Sequence, residues 1–380
     1  MPSISLKTPS ASYDIIIGSG LLRTLLPRLR KLKQDKPFRP FIITSPEIWG
    51  LWAKHVLASF PEAPTVLFLP SGESHKRLNS VESLAQQLAI AGADRDSLLL
   101  ALGGGVIGDI TGFLAAIYMR GVPYVQLPTT LLAQVDSALG GKTGVNLVAG
   151  KNLIGSFHHP LAVLADTDLL GTLPTAELRS GLQESVKAAI IRDPKLFRYL
   201  EQNSAAILKG DAKALTRVVT ASIKVKAEVV SKDEKENDLR MILNFGHTIG
   251  HAIESATKYK VLLHGQAVGW GSIAATYLSL SRGAITQKQF DRIAALIRLY
   301  GPLPPFTAQA AKLVALTASD KKSRSGKRAF VLTTGIGSTK VVHDTTDEEL
   351  LTAAESMLAL VRKTAAKIPT AKPKTKSRKS

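Results

Sequence analysis

The chain has 380 residues, 45% of them hydrophobic, which is long enough for two or three domains and apolar enough for a sizeable core. It contains no cysteine, which excludes disulfides and thiolate metal ligands and leaves His, Asp and Glu as the strong metal donors. A formal charge of +19 suggests nucleic acid, but eight of the positive charges fall between Arg362 and Ser380, where no acid occurs, and the remaining +11 suits a protein that binds small anionic substrates.

The longest apolar runs, such as Ser97 to Leu102, are strand-sized and far too short to span a membrane. Met1 to Gly20 shows no basic region followed by a long apolar core and cleavage site, so a cytoplasmic enzyme is expected. In chain order, Tyr13 to Ile17, Phe41 to Thr44, Thr65 to Leu69, Ser97 to Leu102 and Tyr124 to Leu127 read as strands. Helical patterns lie between them, among them Val81 to Ala91 and Ile110 to Arg120. That alternation predicts an α/β domain built on a parallel, Rossmann-like sheet over residues 1–174. From Thr175 the period lengthens to that of helices: Ala176 to Ile191, Lys195 to Glu201, Lys213 to Val230, Thr248 to Lys258, Gln266 to Arg282 and Thr286 to Tyr300. Residues 175–361 therefore read as an all-α domain, with a short strand pair suggested from Arg328 to Thr333 and a basic, disordered tail over 362–380.

After the run Ser97 to Leu102 come Gly103-Gly104-Gly105-Val106-Ile107-Gly108-Asp109 and a helical pattern. Glycines at 103, 105 and 108 satisfy the dinucleotide fingerprint in its strand-turn-helix setting, where a backbone without Cβ approaches a pyrophosphate. A tight βα turn that needs positive φ is the competing reading. The usual acid about twenty residues on, after another strand, is missing, so this is no ordinary Rossmann unit. Downstream, Gly140-Gly141-Lys142-Thr143 and Gly150-Lys151-Asn152 place two glycine-flanked lysines and an asparagine in one loop region, which suits phosphate or sugar hydroxyls. It is not a Walker loop, because Asp136 stands where the first glycine belongs. Glu184 and Lys187, three apart on a helix, form an ordinary salt bridge or face a common groove. Arg240, Asn244, His247, His251 and His264 then crowd into one segment. Two imidazoles and a carboxylate with an open position form a catalytic metal site, so Glu184, His247 and His264 are one candidate set; His247 and His251, four apart on a helix, are another, and spacing does not choose.

The blocks Gly103 to Asp109, Thr111 to Gly121, Pro128 to Asp136, Gly140 to Thr143, Gly150 to Gly155 and Leu243 to Glu254 resemble 3-dehydroquinate synthase, and the likeness runs from about Tyr13 to Leu360. The resemblance implies an active site in the cleft between the two domains, NAD and one divalent metal, zinc or cobalt, and a homodimer. It implies conversion of the sugar phosphate 3-deoxy-D-arabino-heptulosonate 7-phosphate to 3-dehydroquinate and phosphate, the second step of the shikimate pathway. The short apolar runs and the charge distribution, read by themselves, predict no membrane partner and no nucleic acid beyond a weak contact by the tail. By motif position the resemblance makes Glu184, His247 and His264 the metal ligands, with His251 contacting substrate phosphate. It sets Lys142, Asn152, Asn244, one of Lys321 and Lys322, and Arg120 of a neighbouring subunit on the phosphate. Lys226 and Arg240 match the carboxylate clamp, Asp136 and Lys187 contact hydroxyls, and Glu236 belongs to the same cleft. NAD would be met by Glu73, Lys76, Gly104, Gly105, Asp109, Thr129 and Thr130, with Lys142 and Lys151 beside them. Two positions depart from the family pattern. Ser45 replaces an acid expected to hold the adenosine ribose, with Glu47 as a substitute, and Gln266 replaces a Glu near the metal, where loss of charge would alter metal affinity.

Overall fold

The computed structural model describes residues 2–317 and 329–366. Its first half contains strands β1 (Ser3–Lys7), β2 (Ser12–Gly18), β3 (Arg39–Thr44), β4 (Thr65–Phe68), β5 (Ser97–Gly103), β6 (Tyr124–Pro128), β7 (Lys142–Leu147), β8 (Gly150–Phe157) and β9 (Ala162–Asp166), with helices α1 (Leu25–Leu32), α2 (Pro46–Leu57), α3 (Leu78–Ile90) and α4 (Gly105–Ile117) between them. The second half contains α5 (Thr175–Ile191), α6 (Pro194–Leu208), α7 (Ala212–Lys232), α8 (His247–Ala256), α9 (His264–Ser281), α10 (Gln287–Leu299), α11 (Ala310–Thr317) and α12 (Asp347–Ala365), with one hairpin, β10 (Phe330–Gly335) and β11 (Ser338–Val342).

Seven strands form one sheet in the order β1-β2-β9-β6-β5-β3-β4, parallel except at the β1 edge. Every residue of β5 is buried, as a strand covered on both faces must be. Its side chains alternate between two cores: Leu99 and Ala101 join Ile107, Ile110 and the α3 leucines, while Leu98, Leu100 and Leu102 join Leu25, Leu29, Trp52 and Val56. From β3 the chain passes to β4 on one side and later to β5 on the other. The crevice at the carboxyl ends of β3 and β5 is therefore the switch point at which such sheets bind ligands.

A third core packs α5, α7 and α9 against the inner face of β2 and β9 through Ile15, Ile17, Val163 and Ala165, so the helical half is fastened directly to the sheet. Three expectations need correction. Gly140 to Gly155 is not an irregular loop, for Lys142 to Phe157 folds into the antiparallel hairpin β7–β8. The helix expected up to Arg120 ends at Ile117, followed by a 3-10 turn in which Met119 and Arg120 take φ of 49° and 68°. The basic tail starts later than residue 362, because α12 continues to Ala365, its inner face held by buried Leu358 and Val361 and its last-turn Arg362 and Lys363 suited to the negative helix end. Lys321, Lys322 and residues 367–380 lie outside the described residues.

Candidate active site

The glycine turn after β5 opens directly into α4, whose N-cap Gly104 offers no capping side chain, leaving the first-turn amides facing the switch-point crevice. None of Gly103, Gly104, Gly105 or Gly108 has positive φ, so the tight-turn reading of these glycines fails. Close approach explains them: a Cβ would stand 2.9 Å from Ser137 Oγ at Gly105, 2.7 Å from Gln126 Oε1 at Gly108 and 3.1 Å from the Thr130 methyl at Gly104. The result is a bare cradle beside Thr129 and Thr130, with Thr129 N donating to Gly103 O at 2.9 Å. Asp109, one turn into α4, receives Lys76 Nζ at 2.5 Å, and the same ammonium donates to Asn152 Oδ1 at 2.6 Å. Asn146 Nδ2 donates to Glu73 Oε1 at 2.8 Å, so the Glu73–Lys76 turn, the hairpin and α4 share one polar network.

Below this network a cavity of about 600 Å³ is lined from both halves, by Asp136, Lys142, Asn152, Lys187, Lys226 and Glu236 among others, and by Arg240, Asn244, His247, His251 and His264. Glu184 on α5 is 2% exposed, and its Oε1 lies 3.6 Å from His247 Nε2 and 3.7 Å from His264 Nε2. Their donor atoms lie within 4.8 Å of one another. Glu184 Oε1 accepts no hydrogen bond among the described residues, a costly state for a buried carboxylate oxygen unless a cation takes it. His247 Nδ1 points at Phe245 O at 3.2 Å and His264 Nδ1 at Glu254 Oε1 at 3.4 Å. Each ring thus uses Nδ1 as an anchor and turns Nε2 toward Glu184, the arrangement that suits a bound divalent ion. Of the two sets left open by spacing, Glu184, His247 and His264 converge, while His251 packs edge-on at 5.4 Å from His247 and converges instead with Glu254 and His264.

Lys187, also on α5, reaches Glu184 Oε2 at 2.5 Å, so the i,i+3 ion pair exists and also faces the cleft. Asp136 lies in a π-helical turn, Ala133–Ser137, where Lys226 Nζ donates to its Oδ1 at 2.5 Å and to its carbonyl at 2.8 Å. Burial opposes the charge of Asp136, but Lys226 and Lys187 outweigh it and hold the carboxyl well below its usual range. Burial likewise pulls Lys226 below the ordinary lysine value, partly offset by Asp136. Arg240, 3% exposed, donates from Nη1 to Glu234 O and from Nη2 to Gly140 O at 3.2 Å. Glu236 takes Lys142 on one oxygen and Asn244 Nδ2, at 2.6 Å, on the other. Arg120 is exposed and does not line the cavity of its own chain.

Both departures from the family pattern prove to be helix caps. Ser45 Oγ accepts from Ile48 N at 3.3 Å at the start of α2, and Glu47 in the same turn accepts from Ser71 Oγ at 2.8 Å. Gln266 accepts from Leu263 N at 2.9 Å at the start of α9, so its side chain serves that helix end. Sequence reasoning missed Glu254, Asn146 and the His159–Glu234 pair at 2.9 Å. For Glu254 a signal existed, since it follows His247 by seven and His251 by three on one helix face.

Residues 66–180 match the family model described as 3-dehydroquinate synthase N-terminal, and residues 181–323 match 3-dehydroquinate synthase C-terminal. The chain belongs to the 3-dehydroquinate synthase family. A 3-dehydroquinate synthase of Solibacter usitatus is 47% identical over 363 residues, covering 94% of this chain and 100% of the relative. Another, from Koribacter versatilis, is 44% identical with 94% and 98% covered. Among solved structures, 2-epi-5-epi-valiolone synthase from Streptomyces hygroscopicus, with NAD+ and Zn2+ bound, superposes with a TM-score of 0.85 at 29% identity, covering 92% of this chain and 98% of its own. Glycerol dehydrogenase from Schizosaccharomyces pombe shares the fold at a TM-score of 0.65 and 16% identity, with 93% and 90% covered. Among the described residues no helix is long and apolar enough to cross a membrane.

Proposed function

We propose that this chain is a 3-dehydroquinate synthase that converts 3-deoxy-D-arabino-heptulosonate 7-phosphate to 3-dehydroquinate and phosphate, with NAD and one zinc or cobalt ion resident. It would act in the cytoplasm as a homodimer, on a small sugar phosphate. One observation carries the choice within the superfamily: two buried cations, Arg240 at 3% and Lys226 at 8% exposure, line the cavity that also holds His247 and His264. A carboxylate at one end of the substrate is what such a pair fits, and cyclases that make valiolone or inosose rings act on sugars without one.

Glu184, His247 and His264 would hold the metal, and Gly104, Gly105, Asp109, Thr129 and Thr130 with Glu73, Lys76, Lys142 and Lys151 would surround NAD. When bound, these groups supply a Lewis acid for the substrate C5 alcohol and a reversible acceptor for its hydride. The side chains do the rest. Arg240 and Lys226 hold the carboxylate; Asp136, Lys187 and Glu236 fix the hydroxyls. Lys142, Asn152, Asn244 and His251, with one of Lys321 and Lys322 and a neighbouring subunit's Arg120, hold the phosphate, the lysines and arginine by charge and the asparagines by hydrogen bonds. During elimination the C–H bond next to the oxidised carbon breaks, its electron pair forms the double bond, and the C–O bond to phosphate breaks, with the phosphate itself taking the proton. The cations stabilise the charge that gathers on the departing group. After re-reduction the ring opens and an intramolecular aldol reaction closes the carbocycle, which the clamp favours by holding one conformer.

The test is to incubate the purified chain with the heptulosonate phosphate and follow phosphate and NADH together. Stoichiometric phosphate without net NADH is expected. Accumulation of NADH with glycerol, the behaviour of a polyol dehydrogenase, would refute the reading.

A further inference from the structure

Glu254 has none of the roles above, yet it is buried between two of them. Its Oε1 lies 3.4 Å from His264 Nδ1 on one side and 3.5 Å from Lys151 Nζ on the other. Lys151 in turn lies 3.8 Å from Glu73 Oε1 and 4.1 Å over the centroid of the Tyr259 ring. From Glu73 the contacts continue without a break through Asn146, whose Oδ1 accepts from Asn152 N at 2.9 Å, to Lys76 and Asp109. One series of polar contacts thus joins a ring of the histidine cluster to Asp109, one turn into the helix that starts at the glycine cradle.

We infer that Glu254 is a positioning residue that orients His264 for the metal and, through Lys151, makes metal binding and NAD binding favour each other; this rests on the cofactor reading above. An imidazole that gives its Nδ1 proton to a carboxylate keeps one tautomer, aims its Nε2 lone pair and becomes a stronger donor. That carboxylate is shared with a lysine of the β7–β8 hairpin, and the lysine is shared with the Glu73 turn. A ligand that orders the Glu73 turn orders Lys151 and Glu254, so the second ligand meets a network already arranged, and the coupling is reciprocal.

The experiment uses the full chain stripped of metal and nucleotide, with zinc affinity measured by competition against a chromophoric chelator, with and without saturating NAD. Wild type is expected to bind zinc at least about fivefold tighter with NAD, the lower end of ordinary coupling. Glu254→Gln is expected to weaken zinc binding about tenfold or more. It should also reduce the NAD effect to less than about twofold. Lys151→Met should abolish the NAD effect while changing NAD-free zinc affinity far less than Glu254→Gln does. Thermal unfolding of the metal-free variants separates positioning from misfolding; if Glu254→Gln fails to fold, Lys151→Met decides alone. Zinc affinity indifferent to NAD in wild type, or a NAD effect retained in Lys151→Met, overturns the inference. Because the readout is affinity and not turnover, a chain that made no dehydroquinate would sink the proposed function and leave this measurement standing.

Discussion

Arg240 divides its guanidinium between two carbonyls that meet at the cleft from different parts of the chain, Glu234 O after α7 and Gly140 O before β7. Gly140 takes φ of 92°, and a Cβ there would stand 2.6 Å from Arg240 Nη2, so the glycine is what lets the arginine lie flat against the backbone. Burial pulls the guanidinium below its ordinary value, with Glu236 and Asp136 opposing, yet arginine stays charged. A lysine at this position reaches one carbonyl at most and offers a substrate carboxylate a point charge in place of a fork. Arg240→Lys is therefore expected to lower kcat/KM about 10- to 100-fold, chiefly through KM, and to cost about 1–3 kcal/mol of stability for the stranded carbonyl. Steady-state kinetics and urea unfolding check both parts; an unchanged KM would argue against the carboxylate role.

The β7–β8 hairpin carries Lys142 and Asn152 to the cavity and Lys151 to Glu254, and it depends on two glycines. Gly144 and Gly155 face each other across the strands, and a Cβ at Gly155 would stand 2.1 Å from Thr143 O. Gly155→Ala is expected to splay the strands, costing about 1–3 kcal/mol as other overpacked sites do, and to raise KM for the phosphate substrate more than it alters NAD-free zinc affinity. Denaturant titration and zinc competition would measure this, and a variant as stable as wild type would refute the close-packing account. The hairpin also shows where sequence reading stops. Strands such as β5 are legible because burial on both faces demands an unbroken apolar run. β7 and β8 hold Gly, Lys and Asn, poor strand formers, so although they pair locally across a two-residue turn they show no apolar run to read as strands. Likewise His247 and His264 could be seen as metal donors, but their convergence with Glu184 depends on α5, α8 and α9 meeting, which the family resemblance anticipated and residue spacing did not.

Across the whole molecule, sheet and helices share the core in which Ile15, Ile17, Val163 and Ala165 meet α5, α7 and α9, and one polar junction lies at its border. Glu234, just after α7, accepts from Ser10 in the β1–β2 turn and pairs at 2.9 Å with His159, which follows β8. The backbone carbonyl of the same Glu234 holds Arg240, so this junction ties the way the halves pack to the position of the arginine proposed to clamp the substrate carboxylate. Burial works to raise the Glu234 carboxyl, but the bonds from Ser10 and His159 outweigh it and set it below the ordinary 4.5. A carboxyl depressed in the folded state adds stability that is complete above its unfolded value and is lost as pH falls through the folded one. Wild type should therefore exceed Glu234→Gln in stability at neutral pH, and the gap should close as pH falls below about 4.5. Urea midpoints for both proteins from about pH 7 down to about pH 3.5 test this, since a gap independent of pH would mean that shape, not charge, is what Glu234 contributes. In the same series KM should rise for Glu234→Gln at neutral pH with zinc affinity unchanged, because the junction touches Arg240 and none of Glu184, His247 and His264, the three residues proposed to hold the metal.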